Sequence, residues 1–239
     1  MTKSQLETSV QEINARIGKI TSPSGLATPK VDGIIRIDDY LTADTKVLWI
    51  LKEINSPNDG GDWVLSHEIG TWKDNGRVKS GWGKTFNAII KSSYGILTNK
   101  GAGEIKKQTR VNREMLNEFN KVAFINLKKI PGGSTAINKK VNEAYIRDKD
   151  IVLDQIKAFE PDIIICGCAY PALSELERDL KANSESDYQY LPNKEKANYS
   201  AFYNDKHLVV KARHPQGANH EEFYSKIIGA INEWKSLRS

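Results

Sequence analysis

Cysteine is almost missing from this sequence: Cys166 and Cys168 are its only two in 239 residues. Two are too few for a disulfide framework and point to a reducing compartment, so the cytoplasm is the expected location. Two are also too few for a structural zinc, which takes four ligands. His207 and His214 would join them only if folding gathered all four, so both thiols are read as structural, and no metal or other cofactor is expected. Long apolar runs are lacking as well. Nothing reaches the roughly 20 residues of a membrane span, and the opening MTKSQLETSVQEI has no signal-peptide core. Internal repeats and low-complexity tracts are missing too. Acidic residues fall short of basic ones, 30 against 35, and the net charge of +5 permits a polyanionic partner without demanding one.

What is present suits a folded domain. Apolar residues at 39% and charged ones at 27% are ordinary for a globular chain, and 239 residues suffice for one substantial core. A single α/β domain over residues 1–239 is therefore expected. Leu6, Val10, Ile13 and Ile17 recur at helical spacing, so 4–19 reads as an amphipathic helix. It is stopped by Thr21-Ser22-Pro23-Ser24-Gly25. Residues 1–44 read as an N-terminal helical appendage on the main sheet, with a short strand at 33–37.

The rest of the chain is organised around VAFINLKKIPGG, residues 122–133. A short apolar run ending in turn residues is a buried strand that delivers a loop. In open parallel sheets, ligands sit beyond the carboxyl ends of the strands. Asn126, followed by Lys128, Lys129, Gly132, Gly133 and Ser134, suits a planar ligand carrying a phosphate; alternatively, Asn126 only ties down its loop. KVLWIL (46–51), DIIIC (162–166) and LVVKA (208–212) read as further strands, the last in a hairpin or edge pair with 200–203. Helical patterns at 83–93, 110–119, 141–159, 171–182 and after 220 separate them. This alternation predicts a three-layer α/β/α sandwich around a central, mainly parallel four-stranded sheet. Residues 56–80 form a long connection, and 183–198 reads as loop. Trp82 shares helical spacing with Phe86, Ile89 and Ile90 and is assigned to the core; Trp63 and Trp72 remain as candidate stacking surfaces.

Three strand ends then present polar groups to one edge: Glu53 after the first strand, Asn126 at the second, His214 after the last. A carboxylate, an amide and an imidazole so placed form a candidate catalytic set.

The stretches VLWILKEIN, FINLKKIPGG, EPDIIICGC and LVVKARHPQG follow one another in the order found in the uracil-DNA glycosylase superfamily, which this chain resembles from about residue 46 onward. In that family an acidic residue or asparagine follows the first strand. An asparagine precedes a basic Pro/Gly loop at the second, and a His-Pro pair ends the last. The middle stretch is most similar to the iron–sulfur type, although the cluster's cysteines are missing here. Where the family continues its first motif with Pro-Gly or Pro-Tyr, this chain has Ile54-Asn55, which makes Asn55 a second candidate for positioning water.

The resemblance implies a DNA glycosylase, a DNA-repair hydrolase of N-glycosidic bonds acting on a flipped-out uracil or other damaged base. Glu53 or Asn55 would position water. Asn126 would read the base edge, with Trp63 or Trp72 stacking on it, and His214 would stabilise the departing base. Lys128, Lys129, Gly132, Gly133 and Ser134 would hold phosphates of single- or double-stranded DNA. The alternative is a catalytically silent nucleic-acid or nucleotide binder on the same fold.

Overall fold

Strand β2 (Val47–Leu51) runs through the middle of the sheet because all five of its side chains can be taken out of water. Period-two alternation sends Val47, Trp49 and Leu51 into one hydrophobic core and Leu48 and Ile50 into another on the opposite face. β3 (Val122–Asn126) and β4 (Ile163–Cys166) flank it in parallel, and β7 (Leu208–Lys211) lies parallel beyond β4. These four are the strands expected to form the central sheet. The sheet is larger and mixed, however. β1 (Gly33–Ile34) pairs antiparallel with β3, while β6 (Ser200–Tyr203) and β5 (Gln189–Tyr190) extend the other side antiparallel, giving the seven-stranded order β1-β3-β2-β4-β7-β6-β5. The expected four-stranded sheet is thus corrected to seven strands. β1 lies within the short strand expected at 33–37 and β6 is the expected partner of 208–212, whereas β5, with two residues, is too short for any alternation to register in sequence. The computed structural model describes residues 1–22, 27–56, 64–133, 135–167, 171–192, 200–216 and 219–238.

Helices cover both faces. One core takes α3 (Leu65–Gly70), α4 (Trp72–Asn75), α5 (Gly83–Leu97), α6 (Ala102–Lys106), α7 (Arg113–Phe119) and α10 (His220–Ser236). The other takes α1 (Lys3–Gly18), α2 (Ile37–Leu41), α8 (Asn138–Phe159) and α9 (Ala172–Ala182). Trp49 anchors the first core. Its ring stacks on Phe223 of α10 at 6.1 Å, and its Nε1 donates to Ser93 Oγ of α5 at 2.9 Å, which satisfies the buried indole. On the second face α1 is held at its start by a capping box between Thr2 and Gln5, and it buries Leu6, Ile13 and Ile17. The 56–80 connection is not bare loop, since it contains α3 and α4. Their apolar positions are too few to show a period.

Residues 1–44 are more than an appendage. They supply β1 and, just before it, Asp32, whose side chain is fully buried. Asp32 Oδ2 accepts from the Asn126 backbone N–H at 2.7 Å and from Asn126 Nδ2 at 3.4 Å. Its Oδ1 accepts from Lys129 Nζ at 2.7 Å and from Gln155 Nε2 of α8 at 2.9 Å. Lys129 Nζ also donates to Gln155 Oε1 at 2.7 Å. Burial lowers the Lys129 pKa, and the facing Asp32 carboxylate opposes that shift.

At the opposite edge Asp162 of the EPD motif aligns the strand starts. Its carboxylate accepts from Lys46 N at 2.7 Å, its N–H donates to Lys46 O, and its carbonyl accepts from Leu208 N.

Removing one member of a buried pair strands the other, at a typical cost of about 3–5 kcal/mol. Asp32→Ala is expected to destabilise the chain by about that much in urea unfolding, and Asp32→Leu combined with Lys129→Met by clearly less. Equal losses from the single and double variants would contradict the pairing.

Candidate active site

Past its regular strands the β2–β3 pairing continues. Leu127 N donates to Leu51 O and Lys128 N to Lys52 O, both at 2.9 Å. Gly132 N then donates to Ile54 O at 2.9 Å and accepts, through its carbonyl, from Ser56 N at 3.0 Å, so that Asn55 and Gly132 form a parallel bridge. The two loops that follow the strands are zipped into one platform.

Glu53 lies within this platform, its side chain only 6% exposed and ion-paired with Lys128. Lys128 Nζ donates in addition to the carbonyls of Ile130 at 2.8 Å and Pro131 at 3.3 Å. At Gly132 the Glu53 carboxylate occupies the space a Cβ would fill, so the glycine leaves room for it. At the end of β4, Gly167 does a similar job: a Cβ there would collide with Leu51 and press on Pro215 at 3.2 Å. That absence of a side chain lets the exits of β2 and β7 approach each other across β4.

His214 stands on the β7 exit, half-buried. Its pKa is pushed down to about 4 by burial and then by the positive charge of Lys52. The Gln216 backbone N–H donates to Nδ1 at 3.2 Å. A ring nitrogen that accepts carries no proton, so neutral His214 bears its proton on Nε2 and offers a single donor there. Lys52, on the β2 exit, donates in turn to Asn138 Oδ1 at the start of α8, 3.4 Å away.

Glu53, Lys128, Gly167 and His214 therefore follow strands at the carboxyl edge of four adjacent parallel strands. Several assignments change. Lys129 cannot hold a phosphate, because its ammonium is buried between Asp32 and Gln155. Lys128 spends its donors on Glu53 and two carbonyls, so it too is withdrawn from phosphate binding. Asn126 is 2% exposed and turned to Asp32 by its amide nitrogen, the loop-tying alternative. Trp72 is 1% exposed, packed edge-on to Trp82 and Phe86, and has no face open to a base. Asn55 and Gly133 are exposed. Trp63, Ser134 and Cys168 lie outside the described residues, as do 57–62, 169–170 and 217–218. The clefts of about 370 and 340 Å³ lie away from this edge, the first lined by Asp187, Gln189 and Arg238, the second by Asn75, Arg77 and Ser80.

Cys166 is buried within the core, and His207, its Nδ1 2.6 Å from the Pro161 carbonyl, precedes β7 whereas His214 follows it. The whole length of the strand separates the two histidines. Among the described residues no three His, Cys, Asp or Glu side chains group as a metal site, and no helix is long and apolar enough to cross a membrane. Asp32, Lys52, Gln155 and Gly167 were not singled out from the sequence. A lone acid, a loop lysine, a helical glutamine and a post-strand glycine carry no local pattern.

Comparison with protein-family models and with curated proteins finds no match for this chain.

His214 binds fewer protons folded, with a pKa of about 4, than unfolded, near 6.5. Its contribution to stability is thus complete above pH 6.5 and is lost as pH falls towards 4. His214→Gln is expected to flatten the stability–pH curve in that window, and NMR should find the wild-type ring titrating well below the unfolded value. Titration near 6.5 would remove the burial argument.

Proposed function

We propose that the chain cleaves N-glycosidic bonds in DNA, releasing a flipped-out uracil or other damaged base. One observation carries this reading: a neutral imidazole with its proton held on Nε2, beside the cationic Lys52, at the carboxyl edge of the parallel strands. In base release the C1′–N electron pair leaves with the base, and water adds to the electron-poor sugar carbon. The leaving base is anionic as it departs. A neutral N–H donor meets that charge without first giving up a proton, and a nearby ammonium lowers its energy further. The pKa of about 4 keeps His214 in this form at neutral pH. Flipping itself costs a few kcal/mol of unstacking, less for a damaged or mispaired base.

Glu53 is assigned the positioning of water and the offsetting of positive charge at the sugar, with Lys128 orienting the carboxylate. The same ion pair favours a second reading. A carboxylate sealed against Gly132 and neutralised by Lys128 is also what a silent nucleic-acid binder would carry.

Oligonucleotides containing uracil, hypoxanthine or xanthine separate the two under single-turnover conditions. His214→Ala is expected to slow base release on the order of a hundredfold or more, about 3 kcal/mol of barrier. Glu53→Gln should slow it as well, while DNA affinity changes little in either variant. Binding by the wild type without release of any base would leave the silent binder standing.

A further inference from the structure

The loop lysines expected to hold phosphate are engaged in ion pairs, so a chain acting on DNA needs its phosphate contacts elsewhere. The charge distribution indicates where. Residues 73–114 contain ten lysines and arginines against three acids, a local excess of seven; the rest of the chain carries 25 against 27. All the net positive charge therefore comes from the stretch that runs from α4 to the start of α7.

Part of that charge is already spent. Lys91 is buried, Lys100 donates to Tyr94, and Lys106 pairs with Glu221 at 2.7 Å. Arg77, Lys84 and Arg113 are exposed and make no ion pair or side-chain hydrogen bond among the described residues. Arg113 Nη2 lies 3.9 Å from the place a Cβ on Gly76 would take, beside Arg77. Arg77 lines the cleft of about 340 Å³ together with Lys79 and with Asn75 and Ser80, which add an amide and a hydroxyl; Trp72, Val78 and the Glu68 carboxylate complete the lining. Lys79 itself is shared with Glu68 at 2.9 Å and lies 5.7 Å from the Trp82 ring centre. α3, which precedes this block, is tied to the sheet where Leu65 N–H donates to Val31 O, one residue from Asp32.

We propose that the exposed face formed by α4, the turn to α5 and the start of α7 binds the phosphodiester backbone of DNA, with Arg77, Lys84 and Arg113 as its unpaired cations. The placement rests on the DNA-directed reading above, but not on its catalytic step. Phosphate oxygens only accept hydrogen bonds, which matches a surface of guanidinium, ammonium, amide and hydroxyl donors. A membrane surface fits less well, since interfacial binding needs apolar side chains to insert. The large exposed apolar residues (Met1, Ile137, Ile146, Tyr190, Leu237) all lie outside this stretch. A protein partner would call for exposed aromatic or aliphatic anchors, and Trp72 in the cleft wall is 1% exposed.

The test is fluorescence anisotropy of labelled duplex and single-stranded DNA against the full chain across a salt series. Arg77→Ala, Lys84→Ala and Arg113→Ala together should weaken binding at least about tenfold near 0.1 M salt and lower the salt slope by about 2–3, roughly 0.9 per lost contact on duplex. Arg77→Lys, Lys84→Arg and Arg113→Lys together, which keep the charge, should restore both. Unchanged affinity and slope would overturn the assignment. So would equally tight binding of phosphatidylserine vesicles that the same substitutions abolish. If the wild type binds DNA through this face yet frees no base, the catalytic reading fails and the binding face stands.

Discussion

A carboxylate withdrawn from water must be repaid in hydrogen bonds, and Asp32 collects them from three directions. The exit of β3 contributes the Asn126 N–H and amide, the following loop contributes Lys129, and α8 contributes Gln155. Without these donors a buried charge would cost several kcal/mol. With them the N-terminal segment, β3 and α8 are fixed to one another at a single point. The loop from 127 to 133 inherits its course from that point, because Lys129 is drawn inward and Lys128, its neighbour, is left to meet Glu53. The conformation of the candidate site is in this sense set from below, by a residue that never reaches it.

The same arrangement divides the positive charge by task. Lysines close to the strand ends serve internal ion pairs, while the α4–α7 stretch keeps its arginines free. Close to the candidate chemistry the cation that matters is Lys52, which acts on His214 through its field. The buried Lys129 pair and the Lys128 pair orient their loop, and Arg77 and Arg113 lie exposed on other elements.

The four parallel strands and most helices were legible because their apolar runs are long and their periods clear. VLWIL and VAFIN are buried throughout, and α8 shows its stripe over 22 residues. The shared edge of Glu53 and His214 was legible for the same reason, since strand ends follow from strands. The roles of Lys129, Asn126 and Trp72 were not. A lysine after a strand looks the same in sequence whether it meets solvent or a carboxylate 97 positions earlier. Trp72 has its aromatic partners at 82 and 86, beyond one turn of any helix. β5 escaped because pairing with β6, not its own two residues, makes it a strand.

Asp32 and Gln155 stand 123 positions apart. During synthesis at roughly 5–20 residues per second, Asp32 is made on the order of ten seconds before its last partner. Neutralisation of that charge waits on the ribosome's reaching Lys129, and a chain cut short before Gln155 would hold the counter-ion but lack the last donor of the set.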